Sequence, residues 1–307
     1  MVSGMRAITF ETYGGSDVLN LTDDRPVPGI APDEVLVRVR FAAVNPFDLK
    51  LRSGSMQKVI HPTFPLVPGS EMAGTVEQLG ADVSGLVVGD EVFGWATSGS
   101  YAEFAAARVV AKKPHALHWE AAASLPVAAD AATRGLGLLR LQPHETLLIH
   151  GGAGVVGSLA VQLAVRADVT VIATCSASDT DAVRHLGAHP VLYGEGVFER
   201  VRELAPDGVD AVLDAAGAGV LPGSIELVGG TERVVTLADP AAYALGVTFS
   251  SGSAKEQNAG VLSEVAALVV EGALVLPVAR HFALADAAEA QDAVAAGGRR
   301  GKVLLDL

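Results

Sequence analysis

Thr146-Leu147-Leu148-Ile149-His150 runs directly into Gly151-Gly152-Ala153-Gly154-Val155-Val156-Gly157, and this stretch decides the fold. An apolar run of strand length ends on glycine. Beyond it Val156, Leu159, Ala160, Leu163 and Ala164 recur at helical spacing on one face. Gly151, Gly154 and Gly157 therefore form a G-x-x-G-x-x-G turn between a strand and a helix. Such a turn needs glycine because its backbone angles are unusual and because a pyrophosphate must approach the amides with no Cβ in the way. The helix starting near Val155 aims unpaired N–H groups at that phosphate. A tight turn without a ligand also explains three glycines, but not the strand before them and the alternation after them.

That alternation continues downstream. A β-branched strand at 169–174 is followed by a helix at 179–186 that Gly187 ends, a strand at 209–213 and another at 233–237. Strands separated by helices imply a parallel, doubly wound sheet, an α/β fold. Upstream the texture differs: residues 34–40 largely alternate polar and apolar side chains, and Pro and Gly punctuate the first 120 residues. Short strands with tight turns predict a small β-barrel domain. The last fifty residues read as a helix at 261–270, an extended segment at 275–282, a helix at 286–295 and a closing strand at 301–307.

Composition narrows the function. With 307 residues, 50% of them hydrophobic, the chain holds about two domains at ~100–200 residues each. A net charge of −13 disfavours a nucleic-acid partner, which needs clustered Lys and Arg. No apolar run reaches the ~20 residues that span a bilayer. The single cysteine, Cys175, rules out an intrachain disulfide framework and a four-thiolate zinc lobe. A cytoplasmic location is expected.

The strand ending near Thr174 meets the adenosine ribose of a bound dinucleotide. An Asp or Glu there selects NAD. The chain instead reads Thr174-Cys175-Ser176-Ala177-Ser178, with no acid before Asp179, which favours NADP. Ser176 and Ser178 either donate to the 2′-phosphate or cap a helix. No Arg or Lys stands immediately beside them.

The ordered segments Asn45-Pro46-Phe47-Asp48, Pro68-Gly69-Ser70-Glu71, Val88-Gly89-Asp90-Glu91-Val92-Phe93-Gly94, Ala122-Ala123-Ser124-Leu125-Pro126, the glycine turn and Gly301-Lys302-Val303 resemble the medium-chain dehydrogenase/reductase superfamily, in its zinc-less quinone oxidoreductase subgroup. The resemblance implies a GroES-like β domain at 1–120, completed by 256–307, around a Rossmann domain at 121–255. It implies NADPH-dependent hydride transfer to a quinone or an α,β-unsaturated carbonyl compound, with NADH the less favoured donor. It also implies cofactor contacts from Gly151, Gly154, Val155, Val156, Gly157, Ser176, Ser178, Val127, Ala215, Thr236 and Leu237, and a homodimer pairing through 246–250. Two departures stand out: Asp130-Ala131-Ala132 replaces a Leu-Thr-Ala run, and Ser178 stands where lysine-bearing relatives often have Arg. The same fold also hosts non-enzymatic nucleotide-binding proteins of crystallin-like or sensor type.

Where zinc-dependent relatives carry a cysteine ligand this chain has Asn45, and where they carry histidine before Glu71 it has Ser70. No metal is expected. An acceptor that delocalises the arriving charge suits a metal-free site, because the protein then mainly positions reactants and excludes water. Lys50 binds the nicotinamide ribose or polarises the substrate oxygen, or else is a solvated lysine at a turn. Asn45 either bonds a carbonyl or ribose or is a turn residue before proline. Asp48 either orients Lys50 or caps a helix.

Overall fold

The structure, a computed structural model, describes residues 4–298 and 300–307. It divides into two compact units: the chain up to Val127 together with Asn258–Leu307, and Ala128–Gln257.

The first unit opens with the antiparallel pair β1 (Met5–Thr9) and β2 (Asn20–Arg25). There follow β3 (Val35–Val44), α1 (Pro46–Arg52), β4 (Glu71–Leu79), β5 (Glu91–Ala96) and β6 (Phe104–Lys112). Strands β3 to β6 pair in order, and β6 pairs back on β3 with Val35 opposite Ala107. The sheet thus closes on itself and spares β3 and β6 an open edge along that pairing. Val37, Met72, Val92 and Phe104 fill its core, while Arg38 and Arg40 alternate outward from β3.

Helix α2 (Trp119–Leu139) crosses the division between the units and carries Pro126 inside it. The sequence reading places no helix at this position. A proline removes a helical N–H and crowds the preceding turn, so it argues locally against a 21-residue helix. Burial of Ala122, Ala123, Leu125, Ala128, Ala129 and Ala132 outweighs that local cost.

The second unit is the alternating one. It runs β7 (Thr146–His150), α3 (Val155–Arg166), β8 (Thr170–Cys175), α4 (Thr180–His185), β9 (His189–Leu192), α5 (Val197–Leu204), β10 (Ala211–Asp214), α6 (Leu221–Val228), β11 (Val234–Thr236), α7 (Ala242–Leu245) and β12 (Thr248–Phe249). The sheet order is β12-β11-β10-β7-β8-β9, and every pair is parallel. The order reverses between β7 and β10, and a crevice outside the carboxyl ends of strands at such a point is where open α/β sheets bind ligands.

The chain then returns to the first unit through α8 (Ala259–Val270), β13 (Val278–Ala283), α9 (Ala287–Ala295) and β14 (Lys302–Asp306). Side-chain capping explains the early start of α8: Asn258 Oδ1 accepts from the Gly260 N–H at 2.8 Å. Strand β13 begins only after Pro277, three residues later than the extended pattern suggests. Strand β14 pairs antiparallel with β3, Val303 opposite Val44, and so joins the sheet that β3 begins.

Candidate functional site

In the second unit the glycine turn has the geometry its residues predict. Gly151 sits at φ +79°, in the left-handed region that favours glycine. A Cβ on Gly157 would overlap the Gly151 carbonyl oxygen. Gly154 is the N-cap of α3, and the first intrahelical bond runs from Ser158 N–H to Gly154 O at 2.8 Å. The N–H groups of Val155, Val156 and Gly157 therefore have no acceptor within the helix, which is the ordinary condition of a first turn and the basis of anion binding there. Thr174 holds the turn on β8: its hydroxyl accepts from Gly151 N–H at 3.0 Å and its carbonyl from Gly152 N–H at 2.9 Å.

The loops after β10 and β11 are tied together by one buried carboxylate. Asp214 accepts from the N–H groups of Ala216 and Gly217, both at 2.9 Å, and from the Thr236 hydroxyl at 2.7 Å. The Thr236 oxygen in turn accepts from the N–H groups of Ala238 and Asp239. Leu237 N–H donates to Asp214 O and Ala215 N–H to His150 O. Ala215, Thr236 and Leu237 are thus fixed at the carboxyl ends of adjacent strands. His150, at the end of β7, is buried and lies 3.1 Å from the Ser224 hydroxyl. Burial lowers its pKa to about 4, against the opposing pull of Asp214.

At the end of β8, Ser176 and Ser178 are engaged with each other. Their hydroxyl oxygens are 2.8 Å apart, and Ser176 donates to the Asp179 carboxylate at 2.6 Å. Asp130, at one of the departures from the family pattern, pairs with Arg134 at 3.1 Å, and Arg134 donates to Ser250 O at 2.9 Å. Arg134 is four residues on from Asp130, whereas Ser250 lies 116 residues on from Arg134, so only the first of the two contacts is local.

The first unit holds a buried polar cluster that the sequence reading missed as a whole. Asn45, the N-cap of α1, accepts from the Lys302 ammonium with its carboxamide oxygen at 2.6 Å and donates from its nitrogen to Glu71 at 2.8 Å. Lys302 is ion-paired with Glu71. The second Glu71 oxygen accepts from the Val127 N–H at 2.7 Å, one residue beyond Pro126. Asp48 accepts from the Asn45 N–H at 2.8 Å and from the Tyr101 hydroxyl at 3.1 Å. Burial pushes the Asp48 carboxyl up to about 7, with Glu71 adding to the rise and the two hydrogen bonds and Lys302 opposing it. Burial likewise holds the Tyr101 hydroxyl well above its ordinary value. Asn45 and Asp48 are therefore brought together, but both face inward, and Val127 commits its N–H to Glu71. Lys50 differs. It is exposed on α1, and no hydrogen bond or ion pair engages its ammonium among the described residues.

Among the described residues no three His, Cys, Asp or Glu side chains stand together in a group able to hold a metal ion. Glu71, the one acid beside the positions where zinc relatives carry ligands, already bears the Lys302 ammonium. The single Cys175 is buried at the end of β8, where burial raises its thiol.

Residues 31–115 match the family described as alcohol dehydrogenase GroES-like domain, and 186–305 that described as zinc-binding dehydrogenase. The chain is 36% identical to 2-methylene-furan-3-one reductase of Solanum lycopersicum, over 83% of this chain and 69% of that protein. It is 30% identical to quinone oxidoreductase of Mus musculus, over 98% and 97% of the two chains. A mycobacterial structure complexed with NADPH superposes with a TM-score of 0.85 at 30% identity, covering 99% of this chain and 100% of that one.

Proposed function

Because the chain belongs to the quinone oxidoreductase subgroup of the medium-chain dehydrogenase/reductase superfamily, we propose that it transfers a hydride from NADPH to a quinone or an α,β-unsaturated carbonyl compound. The observation that carries the reading is the backbone cradle from Gly151 to Gly157, where a Cβ on Gly157 would strike the Gly151 carbonyl. Val155, Val156 and Gly157 hold the pyrophosphate through main-chain N–H groups at the positive end of α3, while Gly151 and Gly154 shape the turn and keep side chains out of its way. Ala215, Thr236 and Leu237 line the cofactor from the strand ends that Asp214 fixes.

When bound, the nicotinamide supplies the hydride. Lys50 is the chain's candidate for the acceptor oxygen: an exposed, uncommitted ammonium stabilises the negative charge that the hydride brings. Asn45 and Asp48 act behind it as positioning residues, anchoring the start of the helix that carries Lys50. The reading uses no metal. A zinc ion at Asn45, Ser70 and Glu71 would lack thiolate and imidazole ligands and would meet the Lys302 ammonium.

A homodimer and a cytoplasmic location belong to the same reading. Strand β12 is an edge strand of its sheet, and nearby Tyr243 is 74% exposed. Light scattering is expected to give twice the chain mass; a monomer rejects the dimer. No helix among the described residues is long and apolar enough to cross a membrane. The function itself is tested by following loss of nicotinamide absorbance with a panel of quinones, short enones and simple aldehydes. Consumption with quinones or enones but not aldehydes supports the reading. Aldehyde reduction alone overturns it.

A further inference from the structure

We propose that Asp179, held on Ser176 at the carboxyl end of β8, cancels the advantage of a 2′-phosphate, so that the protein takes up NADH about as readily as NADPH. The inference rests on the dinucleotide reading above and deepens it at the adenosine end.

The strand order identifies the place. With the reversal between β7 and β10, β8 is the second strand of the dinucleotide motif, and the group just past its carboxyl end faces the adenosine ribose. By position in the chain that group is Ser176, a neutral hydroxyl that suits NADP. The fold changes its chemistry. A single 3-10 turn over Ala177–Asp179 brings the Asp179 carboxylate back onto Ser176, which donates to it at 2.6 Å. A serine hydroxyl has one proton. With that proton given to Asp179, Ser176 offers lone pairs to a ligand, and Ser178 lies 2.8 Å away in the same chain of hydroxyls. Acceptors backed by a carboxylate suit the two O–H donors of an unmodified ribose. They oppose a 2′-phosphate, which carries a charge of about −1.5 to −2 at neutral pH.

A phosphate in such surroundings needs a cation, and the arginines that follow β8 and β9 already have partners. Arg184 pairs with Asp181 at 2.6 Å. Arg200, beside the end of β9, donates to the carbonyls of Leu192 and Glu195 at 2.8 and 2.9 Å. Lys255 is the only lysine of residues 128–257, and that stretch carries 15 acidic against 8 basic side chains. The surrounding field therefore adds to the local repulsion rather than relieving it.

Calorimetric titration of AMP and adenosine 2′,5′-bisphosphate isolates the 2′-phosphate, and titration of NADH and NADPH repeats the comparison on whole coenzymes. In the wild-type protein the two members of each pair are expected to bind within about tenfold of one another. In Asp179→Asn the ratio is expected to move about tenfold toward the 2′-phosphorylated ligand. A wild-type preference for the 2′-phosphorylated member beyond about tenfold, or an unchanged ratio in the variant, overturns the inference and leaves the dinucleotide site standing. Binding of neither coenzyme by folded wild-type protein removes the site reading, and the inference with it. Asp179→Ser replaces the asparagine variant if that one does not fold, and the wild-type ratio is decisive by itself.

Discussion

The Lys302 ammonium on β14 donates to the Asn45 carboxamide oxygen at 2.6 Å across 257 residues of sequence, and the same ammonium neutralises the buried Glu71. Both ends of the Asn45 carboxamide are thereby committed inside the first unit.

Removing one partner of a buried ion pair leaves the other charge without compensation. Lys302→Ala is expected to lower stability by about 3–5 kcal/mol. The double variant Lys302→Met, Glu71→Gln is expected to lose less than Lys302→Ala alone, because no charge is stranded. Urea denaturation of the three proteins checks the order; equal losses would show that the pair acts only as packing.

The glycine turn separates folding from binding. Gly154 is an N-cap, and aspartate is a favourable N-cap, so Gly154→Asp is expected to fold with near wild-type stability. Its carboxylate would occupy the N–H groups that a pyrophosphate needs, and nucleotide binding is expected to fall at least a hundredfold. Gly157→Ala strikes the Gly151 carbonyl and is expected to lose stability as well as binding. Thermal melts and calorimetric titration read the two effects apart.

Lys50 is exposed and its ammonium is bonded to nothing among the described residues, so Lys50→Ala is expected to leave the melting temperature unchanged. Turnover with a quinone or enone is expected to fall about tenfold or more, with nucleotide affinity altered far less. Wild-type turnover in this variant would return Lys50 to the role of a solvated side chain.

Asp48 gives the fold a pH dependence of defined sign. Its folded pKa of about 7 lies above the ordinary 3.8, so the folded state binds more protons than the unfolded chain between those values. Its contribution to stability is therefore highest below about pH 4, declines as pH rises toward 7, and is constant above that, at ~1.4 kcal/mol per pH unit in the steep part. In Asp48→Asn this slope is expected to vanish. Denaturation midpoints of the two proteins from pH 5 to 8 provide the comparison, and parallel curves would mean that Asp48 does not titrate in this range.

What can be read from the residues alone follows from the range of the forces involved. The strand, turn and helix around Gly151–Gly157 carry their signal within a dozen residues, and the β-α alternation beyond them repeats it. Helix α2 escapes such a reading because Pro126 is a local contradiction that only burial resolves. Asn45 reads either as a contact to a carbonyl or ribose or as a turn residue before proline, since nothing nearby in sequence announces Lys302 or Glu71. Asp179 reads as remote from the end of β8 because spacing along a chain does not show that a 3-10 turn folds it back onto Ser176.

The closing strand also sets an order of assembly. Residues 128–257 are contiguous and have emerged from a ribosome before Lys302 exists, so this unit has all its strands in hand while the first is still open. Until the final residues are made, β3 lacks its β14 neighbour and Glu71 has no countercharge. The first unit to be translated is thus the last that can finish, and a chain stopped before Lys302 would leave its oldest part unsealed.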